Sequence, residues 1–137
     1  MSGAGRGRML VIDASCLFDR LTGGLRAVPI NERLAADPDH AAPHIIDVEV
    51  FGAIRRDLQR GLLDATAASQ AVAGLAIWPG QRFANQLLLH RAWELRDTVR
   101  GWDAMYVALA EILDAVLITT DRRLAAARGP ACRIDAL

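Results

Sequence analysis

The chain has 137 residues, 53% hydrophobic and 23% charged, with 16 basic and 16 acidic residues and no net charge. That size suits one domain able to bury a core, and the balanced charge argues neither for nor against a polyanionic partner. Every basic residue is arginine, which excludes a Walker A phosphate loop and Schiff-base chemistry, both of which need lysine. It also weighs against the lysine-assisted phosphoryl chemistry of haloacid-dehalogenase phosphatases and receiver domains, which likewise begin with a strand ending in Asp.

In chain order, "MSGAGRGR" (residues 1–8) has no periodicity and reads as a flexible tail or start extension, leaving residues 9–137 as the domain. "MLVIDAS" is an apolar run with a strand at Leu10–Ile12 that ends in Asp13. "AADPDHAAPH" (residues 35–44) reads as a loop punctuated by Pro and Asp, followed by a short strand near His44–Ile46. "IIDVEVFGAIRRDLQR" predicts a helix with Ile46, Val50, Ile54 and Leu58 on one face. "DATAASQAVAGLA" predicts another, with Asp64 as its N-cap. "ANQLLLHRAWELRDT" repeats every three or four residues through Leu87, Leu88, Arg91, Trp93 and Leu95. "WDAMYVALAEIL" aligns Met105, Ala108, Leu109 and Ile112. Ala115–Thr119 reads as a second buried strand that runs into Asp121, and a last strand falls near Cys132–Ile134. Strands alternating with helices predict an α/β domain with a parallel sheet.

No apolar run approaches the ~18 residues of a membrane span, and no signal peptide is visible. Cys16 and Cys132 lack metal-ligand spacing and read as buried thiols of a reducing cytosol.

Ligands of an open parallel sheet bind along the carboxyl ends of its strands. Asp13 and Asp121 lie just past two such ends, and Glu49 and Asp103 lie near helix starts. Each has a structural reading: Asp13 and Asp121 as N-caps, Asp103 as a first-turn partner of the helix dipole. Together they suggest more. Glu49 and Asp103 are flanked by apolar residues, and a partly buried carboxylate needs a cation. His40, His44 and His90 form no ligand-like cluster. A hard divalent cation held by oxygens, Mg²⁺ or Mn²⁺, is the natural partner of an all-carboxylate set.

"VIDAS", "DVEVFGAIRR", "WDAMYVALAE" and "LITTDRRLA" resemble, in order and spacing, the four acidic motifs of PIN-domain ribonucleases, and most closely those of VapC toxins from VapBC toxin–antitoxin pairs. The resemblance runs from Met9 to nearly the end of the chain. It implies a PIN-like α/β/α sandwich with a central parallel sheet, and Mg²⁺-dependent endonucleolytic cleavage of RNA in which Mn²⁺ can substitute. It implies products with a 5′-phosphate and a 3′-hydroxyl. It also implies a cytoplasmic protein that arrests growth, forms a homodimer, and is neutralised by a cognate VapB-like antitoxin in a larger complex.

The four family acids fall on Asp13, Glu49, Asp103 and Asp121, with Asp13 and Asp103 as expected direct metal ligands. Glu49 and Asp121 act directly, through water, or at a second ion. Ser15 and Thr120 match supporting positions around the metal. Trp102 replaces a common Tyr, and Arg100 and Gly101 stand where a capping Ser or Thr is usual, so Thr98 is the remaining candidate cap. Arg56, Arg122 and Arg123 follow the acids and are expected to contact the RNA phosphates. Two other readings compete: a PIN-like RNA-binding module without turnover, and a DNA-directed nuclease of similar fold. The latter is generally longer, with additional acids and a DNA-binding helical motif not seen here.

Overall fold

The computed structural model describes residues 9–137; the reading of residues 1–8 lies outside the described residues. Five strands form one parallel sheet: β1 (Leu10–Ile12), β2 (His40–Pro43), β3 (Gln81–Phe83), β4 (Val116–Thr119) and β5 (Ile134–Ala136), in the order β3-β2-β1-β4-β5. β1 and β4 are buried throughout, as expected of central parallel strands covered on both faces.

The chain first moves outward from β1 to β2 to β3, through α1 (Ala14–Thr22) and α2 (Ala27–Ala36), then α3 (Ile45–Gln59) and α4 (Ala65–Ile77). These helices pack on one another. It then crosses back through a 3₁₀ turn (Asn85–Leu88), α5 (Leu89–Glu94) and α6 (Asp103–Leu113), and inserts β4 on the other side of β1. Right-handed crossovers in opposite directions place the two helix groups on opposite faces, giving the expected α/β/α sandwich. A short α7 (Arg122–Ala125) leads toward β5.

α6 is the inner wall of the second layer: every residue from Ala104 to Ala110 is buried, and the helix packs on β1, β2 and β4. Burying one Leu, Ile or Val side chain contributes about 1.5–3 kcal/mol, so Leu10, Ile12, Leu17, Leu109, Leu117 and Ile118 anchor the edge on which the acids stand. Arg82 adds a polar tie. It donates to both carboxylate oxygens of Asp47 and to the carbonyls of Leu75, Trp78 and Gly80, and stacks over the Trp78 ring at 4.7 Å. This joins the start of α3, the end of α4 and β3.

Several elements differ from expectation. The second strand ends at Pro43, and Ile45 and Ile46 belong to the first turn of α3; the apolar weight read as strand is the helix's buried stripe. Residues 35–44 are therefore mostly the end of α2 and β2 rather than a loop. α2 and the edge strand β3 are additional elements, and β5 begins at Ile134 rather than Cys132. The helix expected over residues 84–98 is a 3₁₀ turn plus six residues of α5; Leu88 and Leu95 are buried but Leu87 and Trp93 are exposed. Ile112 and Leu58 also face outward. Cys16 is buried, whereas Cys132 is only partly so. Asp64 caps α4 as expected, accepting from the Ala67 N–H. Among the described residues no helix is long and apolar enough to cross a membrane.

Candidate active site at the carboxyl edge of the sheet

The chain leaves β1 toward β2 on one side and returns to β4 on the other. The carboxyl ends of these neighbouring strands form the topological switch point of the sheet. Asp13 follows β1 there and is 5% exposed. It is the N-cap of α1: Oδ1 accepts from the Cys16 N–H at 2.9 Å and from the Ser15 hydroxyl at 2.7 Å, and Oδ2 accepts from the Thr119 hydroxyl at the end of β4. Burial raises its pKa, while those three hydrogen bonds, Thr119's foremost, pull it back.

Asp121 caps α7 by accepting from the Arg123 N–H, and its own N–H donates to the Thr119 hydroxyl at 3.0 Å. Thr119 therefore bridges the two strand tips. Thr120 donates to the Ser15 hydroxyl at 2.9 Å, one step further from the carboxylate. Both capping readings are correct, and they coexist with convergence of the acids because a cap uses one carboxylate oxygen.

Glu49 reaches the same edge from α3, where Oε1 accepts from the Tyr106 hydroxyl at 2.6 Å. Its pKa is raised, first by burial and then by the charge of Asp13, against the lowering effect of Tyr106. Asp103 opens α6. No side chain caps that helix: the N-cap is Trp102, Thr98 donates instead to the Leu95 carbonyl, and Gly101 takes φ +50° to turn the chain into the helix. Burial pushes the Asp103 pKa up to about 6, helped by the charges of Asp13, Asp121 and Glu49, while Arg100 opposes. All four acids thus act on one electrostatic locus.

Two recesses divide the three acids other than Asp13 between them. A cleft of about 580 Å³ is walled by Ser15, Glu49, Arg56, Trp102 and Thr120, among others. A smaller one of about 120 Å³ holds Asp103, Asp121, Arg100 and Arg123. Arg122 is exposed on α7 and lines neither. Sequence reasoning missed four neighbours: Thr119, Tyr106, Arg100 and the position of Trp102 in the cleft wall. Tyr106 is the only tyrosine in the chain, and one turn after Asp103 it could have been suspected.

The donor set suits a hard divalent cation: oxygen ligands only, with the Asp103 pKa raised by burial and by its fellow acids. Among the described residues no three acidic, His or Cys side chains form a ready-made metal shell.

A parallel sheet carrying four acids at its switch point is the architecture expected of the resembled family. Residues 10–130 match the PIN domain family, and the chain belongs to it. Among curated relatives, ribonuclease VapC1 of Mycobacterium tuberculosis is 38% identical over 128 residues, spanning 90% of this chain and 94% of that protein. Ribonuclease VapC3 of the same organism is 40% identical over 119 residues, 86% of each chain. The fold is shared with PAE2754 from Pyrobaculum aerophilum (TM-score 0.66, 24% identity, 96% of this chain and 87% of that one). It is shared too with VapBC2 from Rickettsia felis, solved bound to a DNA fragment from its promoter (TM-score 0.67, 12% identity, 94% and 98%).

Proposed function

We propose that this chain is a VapC-type toxin: an Mg²⁺-dependent endoribonuclease, with Mn²⁺ as a substitute, that arrests translation and growth in the cytoplasm and is neutralised by a cognate VapB-like antitoxin. The observation that carries the reading is the placement of Asp13, Glu49, Asp103 and Asp121 around the switch point, where burial first and then the charges of the other three raise Asp103 to about 6. The ribonuclease relatives support RNA as the substrate.

In this reading Asp13 and Asp103 hold the cation, with Glu49 and Asp121 reached directly or through water. When bound, the cation acidifies a water and neutralises charge on the phosphate. The chain's own residues do the positioning. Thr119, Ser15 and the Cys16 N–H fix the Asp13 carboxylate, and Tyr106 fixes Glu49. Ser15 and Thr120 form a hydroxyl pair on the cleft wall. Arg56 and Arg123, lining the two recesses, offer cations to successive phosphates, and exposed Arg122 extends that line.

The antitoxin reading has a surface to rest on. An apolar groove between α3 and α4 is lined by Phe51, Ile54, Leu58 and Val72 and continues past Val48, which also lines the acid cleft. An apolar helix laid in that groove can extend a basic side chain among the acids. A homodimer belongs to the same proposal.

The test is cleavage of RNA by the purified protein in Mg²⁺, Mn²⁺ and EDTA, beside Asp13→Asn. Cleavage in either metal, lost in EDTA and in the variant, with 5′-phosphate ends, is expected. Equal cleavage by Asp13→Asn would sink the proposal.

A further inference from the structure

We infer that Trp102 is a substrate-contacting residue whose indole stacks on an unpaired nucleobase beside the scissile phosphate. The inference rests on the ribonuclease reading and adds to it a residue.

Trp102 is 61% exposed, a large apolar area to leave in water one residue from Asp103. It lies in the wall of the 580 Å³ cleft with Glu49 and Arg56. Its backbone is held on both sides: Gly101 precedes it at φ +50°, and its carbonyl accepts from the Met105 N–H at 2.9 Å in the first turn of α6. With the backbone fixed, only the two side-chain torsions of the indole remain to be ordered on binding, which suits a stacking platform. Arg56 in the same cleft supplies a cation for the backbone of a nucleotide whose base lies on the ring.

The sizes of the two recesses decide which one takes the base. Small-molecule sites run about 300–1,000 Å³; the cleft beside Trp102 falls within that range, and the 120 Å³ recess of Arg100 and Arg123 falls below it. The smaller recess suits a phosphate, the larger a base. A base within a duplex presents no free face to an indole, so the arrangement selects unpaired RNA.

The same indole also borders an apolar hollow with Leu89, Trp93 and Met105, so a second copy of the chain is the rival occupant. The experiment uses the full chain carrying Asp13→Asn, so that RNA is not consumed, and measures affinity for a short unstructured oligoribonucleotide. The same RNA with one abasic site and the annealed duplex are the comparisons, with sedimentation in parallel. Trp102→Ala should weaken single-strand binding roughly 5- to 100-fold, Trp102→Phe should recover most of it, and the loss should largely vanish on the RNA whose stacked base is absent. Cleavage by otherwise wild-type protein should show the loss mainly in KM.

A change under twofold in Trp102→Ala, or an equal loss on intact and every abasic RNA, overturns the inference. So does a loss that tracks dissociation of copies. If Trp102→Ala cleaves as wild type while Asp13→Asn is dead, the inference falls and the nuclease reading stands. If wild type cleaves no RNA, both fall.

Discussion

The hydroxyl of Thr119 donates to Oδ2 of Asp13 across 106 residues of sequence, tying the tip of β4 to the tip of β1. The same hydroxyl oxygen accepts from the Asp121 N–H. One small side chain therefore sets the spacing of two of the four acids.

Thr119→Val keeps the shape and removes both bonds. Asp13 then loses its strongest hydrogen bond while staying buried, so its pKa rises further. The expected cost is about 1–3 kcal/mol of stability, with cleavage strongly reduced and the acid limb of its pH profile moved to higher pH. Thr119→Ser should restore most of both. Urea melts and a pH–rate series check this; a Val variant with wild-type activity would show that Asp13 needs no such partner.

Tyr106→Phe separates packing from positioning. The ring fills the same buried volume, so stability should fall by no more than about 1–1.5 kcal/mol, whereas Tyr106→Ala should cost about 3–5 kcal/mol through the cavity. Without the hydroxyl, Glu49 is free to turn and its pKa rises. Activity of the Phe variant should drop well beyond what its stability loss explains. Full activity would remove Tyr106 from the site.

The acids also make a pH signature. Asp13, Glu49 and Asp103 all have raised pKa values, so the folded protein resists ionising them and holds protons that the unfolded chain has lost. Stability from these groups therefore falls as pH rises from the ordinary carboxylate range through about 6. Glu111 and Asp135, whose pKa values are lowered by Arg91 and by Arg133 and Arg33, work the other way: their contribution is present near neutrality and lost as pH falls through their folded values. In EDTA the Tm should be about 2–5 °C higher near pH 5 than near pH 7.5. Asp103→Asn should flatten that slope and melt no lower than wild type at pH 7.5.

Divalent metal should relieve the same repulsion. Millimolar Mn²⁺ at about pH 7.5 is expected to raise the wild-type Tm by about 2–8 °C, with a smaller rise near pH 5, where Asp103 is mostly protonated. In Asp103→Asn the rise should shrink and cleavage should be lost. A lower Tm in EDTA with an intact Mn²⁺ shift would make Asp103 a structural first-turn residue only.

The arginines divide by burial. Arg122→Ala on exposed α7 should leave stability within about 0.5 kcal/mol and weaken RNA binding, reducing its salt slope by about 1. Arg82→Gln should do the reverse. It breaks the bidentate contact with Asp47 and the ties to three carbonyls, destabilising the fold without touching the acids. Parallel melts and filter-binding titrations over a salt range distinguish the two.

The central strands were legible in the sequence because a parallel strand buried on both faces must be apolar along its whole length. "LVI" and "VLIT" meet that condition and then break into polar residues. The four acids stood out in the sequence for a related reason: a carboxylate at the end of such a strand or inside an apolar stretch is costly without a partner. β3 and α2 were not legible. "QRF" is an edge strand with a polar, part-exposed pattern, and α2 carries Pro29 near its start, a residue that reads as a break. Local pattern speaks for such segments only when burial demands it. The partners of the acids lay further out of reach. Thr119 and Thr120 are the same residue type side by side, yet the first, at the end of β4, meets Asp13 and the second, just past it, meets Ser15. Tyr106 meets Glu49 because α6 and α3 converge on one sheet edge, across 57 residues. The sequence by itself determined which residues must be buried and which charges that burial leaves in need of a partner. Only the tertiary structure decided which hydroxyl meets which carboxylate, because that depends on strand order and crossover direction, properties of the whole chain that no local window contains.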